Sequence, residues 1–180
     1  MCKYCDIGIT CNDQVIETGL TNLWKTELLN KHNELRAKVA NGQEHGQPSA
    51  QNMNKLEWDD ELARNAQLWA DQCPDKSWNL GTFHDANRLT IVHDGPIGQN
   101  VGDLYSKRDK RDTNDWKYFL RRRVSRWYNK GKDWSAANVG SWSKVGATGQ
   151  YTQVIWAETK KVGCGVIYYK WWAYYRKVTT

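Results

Sequence analysis

An α+β fold, with helices flanking a mostly antiparallel sheet, is predicted by three features of this 180-residue chain. Apolar residues recur at helical spacing in three separate stretches before residue 131, and β-branched and aromatic residues crowd the end of the chain. Two of those late stretches are joined by a connection short enough for a hairpin.

The first helix is expected to start after Thr21, a suitable N-cap. It lines up Leu28, His32, Leu35 and Val39 until Asn41-Gly42 stops it. Asp59 caps a second helix, with Leu62, Ala66, Trp69 and Cys73 on one face and Pro74 at its end, so Cys73 is expected to point inward. A third begins at Asn114 or Asp115. Its apolar stripe is Trp116, Leu120, Val124 and Trp127, with Arg121, Arg122 and Arg123 facing mostly outward as far as Gly131. Strand-like stretches follow at 151–156, 162–169 and 172–180, the last two joined at Lys170-Trp171.

The length fits one domain, and there is no repeat, low-complexity tract or Pro-rich linker. No apolar run approaches the roughly 20 residues needed to span a bilayer, and mean hydropathy is −0.83. Met1 followed directly by Cys2 reads as a mature chain with an added initiator Met. Net charge is +6, carried partly by Lys107-Arg108-Asp109-Lys110-Arg111 and partly by Arg121-Arg122-Arg123. The arginine triplet is a candidate basic surface for an anionic partner. Nucleic acid is not expected, because Asp109, Asp112 and Asp115 interrupt the first run.

The cysteines are Cys2, Cys5, Cys11, Cys73 and Cys164. Cys2-x-x-Cys5 has no second Cys or His pair at zinc-ligand spacing, so bridges formed outside the cell are the preferred reading. Four of the five, Cys2, Cys5, Cys11 and Cys73, can form two bridges in three connectivities that spacing does not separate. The working choice pairs Cys2 with Cys11 and Cys5 with Cys73, leaving Cys164 odd. Eleven Trp and nine Tyr are mainly core material, while Trp134, Trp142, Trp171 and Trp172 sit at loop or hairpin positions that can line a ligand site.

Three segments in order then carry a resemblance. His32-Asn33-Glu34-Leu35-Arg36 is similar to a His-Asn-x-x-Arg helix opening, and is followed by Leu56-Glu57-Trp58-Asp59-Asp60-Glu61-Leu62-Ala63. Gly98-Gln99-Asn100-Val101 matches a Gly-Glu/Gln-Asn-hydrophobic motif. Gly149-Gln150-Tyr151-Thr152-Gln153-Val154-Ile155-Trp156, with Lys161-Val162-Gly163-Cys164-Gly165, resembles a Gly-His-Tyr/Phe-Thr-Gln-x-x-Trp signature and its following strand. Together they resemble the CAP superfamily, and the crowded amino-terminal cysteines resemble its antigen 5 branch.

The resemblance implies a three-layer α-β-α sandwich, with residues 1–20 as a disulfide-linked extension and 21–180 as the CAP domain. In the family the cysteine at the position of Cys164 pairs with one in a Cys-Asn-Tyr-x-Pro segment that would begin about where this sequence stops, so the resemblance implies either a truncated chain or a departure from its relatives.

Many CAP proteins carry two histidines and two glutamates in a central cleft, a set suited to zinc or copper. Carried over by position, these become His84, Gln99, Lys130 and Gln150. One imidazole, two amides and an ammonium make a poor cation site, since stable zinc binding takes three or four ligands. No metal or other cofactor is therefore expected. His93 and His45 read as loop residues and His32 as structural. No phosphate loop, nucleophile elbow, His-Glu-x-x-His, Asn-x-Ser/Thr or Arg-Gly-Asp sequence is present.

The function implied is a secreted, extracellular, non-enzymatic effector or allergen of venom or saliva, expected to be a monomer with no membrane span. It would act by binding a host protein or a small hydrophobic or amine ligand. The alternative is a copper- or zinc-dependent redox or hydrolytic protein using the cleft.

Overall fold

A computed structural model describes residues 6–8, 11, 14–73, 84–85, 97–106, 115–139, 148–171 and 174–179. The elements in order are β1 (Val15–Thr18), α1 (Asn22–Ala40), β2 (Glu57–Trp58), α2 (Asp60–Ala70), β3 (Gly102–Ser106), α3 (Asp115–Tyr128), α4 (Gly149–Ile155), β4 (Lys161–Val162), β5 (Val166–Trp171) and β6 (Tyr174–Thr179). Two 3-10 turns, Asn129–Asp133 and Ala136–Asn138, follow α3.

The main sheet is antiparallel in the order β1-β5-β6-β3. Strand β5 is buried on both faces, and period-two alternation divides its side chains between two cores. Val166 joins α1, α3 and α4, whereas Ile167 and Tyr169 pack with Ala70 of α2 and Cys73. This is a three-layer α-β-α sandwich. Helix α2 approaches so closely that a Cβ on Gly165 would lie 2.3 Å from the Gln67 backbone nitrogen. Only a glycine permits that contact.

All three expected helices form. Asp59 caps α2, its Oδ1 accepting from the Leu62 N–H at 2.9 Å, while Thr21 caps α1 through its backbone carbonyl alone. The buried face of α1 contains Leu28, His32, Leu35 and Val39 as expected, and adds Trp24 and Arg36. On α2 the buried residues are Ala63, Trp69 and Ala70, so the stripe is turned away from Leu62 and Ala66.

Two expectations about the strands are corrected. Residues 151–156 are not a strand: α4 occupies them, with Tyr151, Thr152 and Val154 buried against its helical neighbours. Local β-propensity yields here to tertiary packing. The hairpin of β5 and β6 pairs Trp171 with Tyr174, so its connection is residues 172–173, outside the described set, and Lys170-Trp171 belongs to β5. Strands β1 and β3, short edge strands, escaped the sequence reading.

Cys73 is bonded to Cys11, not to Cys5. The Gly8 N–H donates to the Asp71 carbonyl and Gln72 Nε2 to the Asp6 carbonyl, which lays residues 6–8 across the end of α2, and Cys11 sits beside Cys73. Cys2 and Cys5 lie outside the described residues. Within the expected extension 1–20, β1 is hydrogen-bonded into the sheet. The bridge closes a loop of 62 residues, which on a chain-entropy basis stabilises the fold by about 4 kcal/mol.

The centre of the helical layer is polar. Arg36 is 1% exposed and meets no carboxylate among the described residues. Its Nε and Nη2 donate to the Asn54 carbonyl, its Nη1 to those of Val154 and Trp156, and its Nη2 also to those of Ala157 and Thr159, at 2.7–3.2 Å. Burial pushes the guanidinium pKa down to about 10, still charged at neutral pH. Asn33 adds a two-way clamp, donating to the Leu56 carbonyl at 3.0 Å and accepting from its N–H at 2.8 Å. His32 Nδ1 donates to the Leu28 carbonyl at 2.8 Å.

Replacing Arg36 with Leu takes a donor from five carbonyls, of which those of Trp156 and Ala157 keep N–H groups of Thr159 and Asn54, and should cost about 3 to 5 kcal/mol in urea unfolding, with Arg36→Lys intermediate because an ammonium has fewer donors. His32 supplies a pH test. Desolvation first, and the charge of Arg36 as well, lower its pKa against the raising effect of the Leu28 hydrogen bond. The native state therefore binds its proton less readily than the unfolded chain. The stability so derived is fully present above about pH 6.5 and falls as the solution is acidified below it, by at most about 1.4 kcal/mol per pH unit. In His32→Gln the slope of unfolding free energy between pH 6.5 and 5 should flatten; an unchanged slope would place the titration elsewhere.

Candidate functional site

The first turn of α4 joins two clusters. On one side it meets the segment leading into β3. Gln99 Oε1 accepts from the Asp85 N–H at 2.9 Å and lies 3.2 Å from His84 Nδ1. Because a backbone N–H only donates, the atom facing it must be the amide oxygen, so Nδ1 of His84 must be a donor as well. In the neutral imidazole the acceptor lone pair is then on Nε2.

Next along the chain, Asn100 Nδ2 donates to the Gln150 carbonyl at 2.9 Å, and Gln150 Nε2 donates to the Val101 carbonyl at 3.3 Å. His84, Gln99 and Gln150 are thus linked through one hydrogen-bonded segment. Lys130 is not part of it. It is exposed on the 3-10 turn Asn129–Asp133, and none of these hydrogen bonds reaches it.

On the other side of α4, Tyr151 enters an aromatic cluster. Its ring stands edge-on to Tyr128, with centroids 5.4 Å apart, and 6.3 Å from Trp134. A Cβ on Gly131 would lie 2.5 Å from the Tyr151 ring, so the 3-10 turn can close over it only with glycine there. Trp134 is buried in the helical core rather than open in a loop; Trp142 and Trp172 lie outside the described residues, and Trp171 is in β5.

Sequence reasoning did not single out the carboxylate beside this cluster. Glu44 accepts from Tyr128 Oη at 2.5 Å and Lys38 Nζ at 2.6 Å, with the Lys38 ammonium 5.8 Å from the Tyr128 ring centroid. Burial opposes the charge on Glu44, but the hydrogen bonds from Lys38 and Tyr128 outweigh it together and hold its pKa below the usual value. Burial, then the hydrogen bond to Glu44, pushes the Tyr128 phenol well up, and burial with the charge of Glu44 pushes Tyr151 up to about 12. Both phenols stay protonated at neutral pH. Tyr151 Oη and the indole N–H groups of Trp127 and Trp134 are buried with no hydrogen-bond partner.

Among the described residues no three His, Cys, Asp or Glu side chains converge as a metal site. His93 lies outside them, and His45 is exposed. Cys164 is buried and free, its thiol pushed up to about 12 by desolvation, which makes it a poor nucleophile.

The basic triplet is divided by the helix. Arg121 and Arg122 are exposed, but Arg123 is 8% exposed. It falls on the same stripe as Phe119 and Trp127, its guanidinium 5.1 Å from the Phe119 ring centroid and Nη2 donating to the Asp103 carbonyl. Arg123 therefore leaves the predicted surface.

Residues 29–178 match the family model described as "CAP: Cysteine-rich secretory protein family". The chain belongs to the CAP family. Venom allergen 5 of Dolichovespula arenaria is 38% identical over 185 residues, covering 97% of this chain and 84% of that protein. Venom allergen 5 of Vespula pensylvanica is 38% identical over 174 residues, 93% and 78% of the two chains. Among solved structures, the venom allergen-like protein 4 of Schistosoma mansoni superposes with a TM-score of 0.56 at 25% identity, covering 89% of this chain and 87% of that one. This CAP chain is thus similar to venom antigen 5 proteins over nearly its whole length.

The hydrogen bond between Gln99 and His84 has a direct test. In Gln99→Glu the carboxylate faces the Nδ1–H, and the His84 pKa read from its ring proton in an NMR titration should rise by about one pH unit or more over the parent protein. No rise would mean that the two side chains do not meet in solution.

Proposed function

We propose that this chain is an extracellular, non-enzymatic effector of the venom antigen 5 type, which acts by holding a target or small ligand and not by metal or acid-base catalysis. The observation that carries this reading is the amide chemistry around His84. Gln99 spends its oxygen on Asp85 and His84, and Gln150 spends its side-chain N–H on the Val101 carbonyl. Neither amide titrates, and a single imidazole is too few ligands for a stable zinc or copper site.

An extracellular setting is supported by the Cys11–Cys73 bridge, which persists in oxidising compartments, and by the venom relatives. Among the described residues no helix is long and apolar enough to cross a membrane. A small-ligand role is favoured at the aromatic cluster, where the Tyr151 hydroxyl and the Trp134 N–H are buried without partners. Buried polar groups are normally satisfied, so a bound polar molecule is a natural occupant.

Calorimetric titration with Cu(II) and Zn(II) should show no stoichiometric site at neutral pH. Stoichiometric binding that disappears in His84→Ala would replace this reading with a metal-dependent one. Native mass spectrometry and quenching of tryptophan fluorescence by candidate amines and lipids test the ligand; binding weakened in Tyr151→Phe locates it at the aromatic cluster, and no binding at all leaves recognition to the surface.

A further inference from the structure

Residues 116–132 contain seven lysines and arginines and no acidic residue. Their combined charge exceeds the +6 of the whole protein, so the rest of the sequence is close to neutral. The structure sorts these cations. Arg123 is buried, whereas Arg121, Arg122, Arg126, Lys130 and Lys132 are exposed on α3 and the 3-10 turn that continues it. Arg122 and Arg126 are four residues apart on α3, a step that places their charges about 6 Å apart on one face, and Lys130 and Lys132 follow on the 3-10 turn.

The lysines of α1 are neutralised. On α1, Lys25, Lys31 and Lys38 are each bonded to a carboxylate at 2.6–2.8 Å, those of Asp60, Glu34 and Glu44. On the α3 ridge, Arg121 lies 3.5 Å from Glu27, while Arg126, Lys130 and Lys132 have no carboxylate partner among the described residues. Such a ridge of like charges is self-repulsive until an anion meets it.

We infer that this ridge docks a linear sulfated polysaccharide of the heparin type. Guanidinium forks match the paired oxygens of a sulfate group, and an extended polyanion can contact cations spaced along a helix. From Phe119 to Asp133 the aromatic side chains Phe119, Trp127 and Tyr128 are buried, so that described part of the ridge offers no rings on which bases could stack. Nor does it expose the large apolar side chains by which amphipathic helices enter a bilayer. Recognition through charge geometry alone fits the sulfated chain best.

The test is calorimetric titration of a heparin oligosaccharide of uniform length at several salt concentrations. Arg122→Gln/Arg126→Gln/Lys130→Gln is compared with Lys55→Gln/Lys160→Gln/Lys170→Gln, which removes equal charge from exposed positions off the ridge. Thermal melts establish that both variants are folded. The parent protein should bind at physiological ionic strength. The ridge variant should bind about tenfold more weakly or worse, with the salt dependence reduced by about three ionic contacts, and the off-ridge variant should stay within about twofold of the parent. Equal losses in both variants would reduce the effect to net charge and overturn the proposal. So would failure of the parent to bind at physiological salt, or a tighter affinity for phosphatidylserine vesicles or duplex DNA than for the oligosaccharide.

Discussion

The position of nearly every functional side chain depends on one buried cation. Arg36 has no acid to balance it, and taking a guanidinium out of water is costly unless its donors are satisfied. Here they are satisfied by carbonyls alone, from Asn54, from Val154 near the end of α4, and from Trp156, Ala157 and Thr159 beyond it. A carbonyl-lined socket at a helix C-terminus is also where the helix dipole favours positive charge. Segments more than a hundred residues apart in sequence converge on one side chain. That fixes the axis of α4, and with it the opposite directions taken by Gln150 and Tyr151.

The glycines complete the arrangement from the other side. Gly165 lets the α2 backbone lie against the start of β5, and Gly131 lets the turn after α3 close over Tyr151. Arg36 anchors the end of α4 while Gly131 brings α3 and its turn onto the beginning. A short helix of seven residues, too short to hold itself together in isolation, is thereby held at both ends by tertiary contacts.

This explains what was legible in the sequence and what was not. The longer helices announce themselves because apolar periodicity over several turns records a buried face, as at Leu28, Leu35 and Val39 or Leu120, Val124 and Trp127. Helix α4 does not, because its Tyr, Thr, Val and Ile residues favour strands locally and its conformation is set by partners distant in sequence. The pairing of Cys11 with Cys73 depended on backbone contacts at the end of α2 that no cysteine spacing encodes. For the candidate site, motif positions named His84, Gln99 and Gln150, which the fold links through one hydrogen-bonded segment, and Lys130, which lies exposed on the 3-10 turn. Glu44, in a loop without periodicity, carried no signal until the fold placed it against Tyr128.

The contrast between Arg36, Arg123 and Arg126 shows that residue type alone does not decide what a cation does. Arg36 is surrounded by carbonyls and is structural. Arg123, one turn from Phe119, lays its stem across Gly102 and its charge against the β3 backbone, so it ties α3 to the sheet. Its burial makes neighbouring positive charge unwelcome: after desolvation, Arg126 and Arg122 lower its pKa against the raising effect of Asp103 on β3. Within residues 116–132 themselves there is no acid, and the exposed face of α3 accumulates charge that the buried face must tolerate. Self-repulsion of that kind, retained at a cost to the folded state, is better explained by an external anion than by packing.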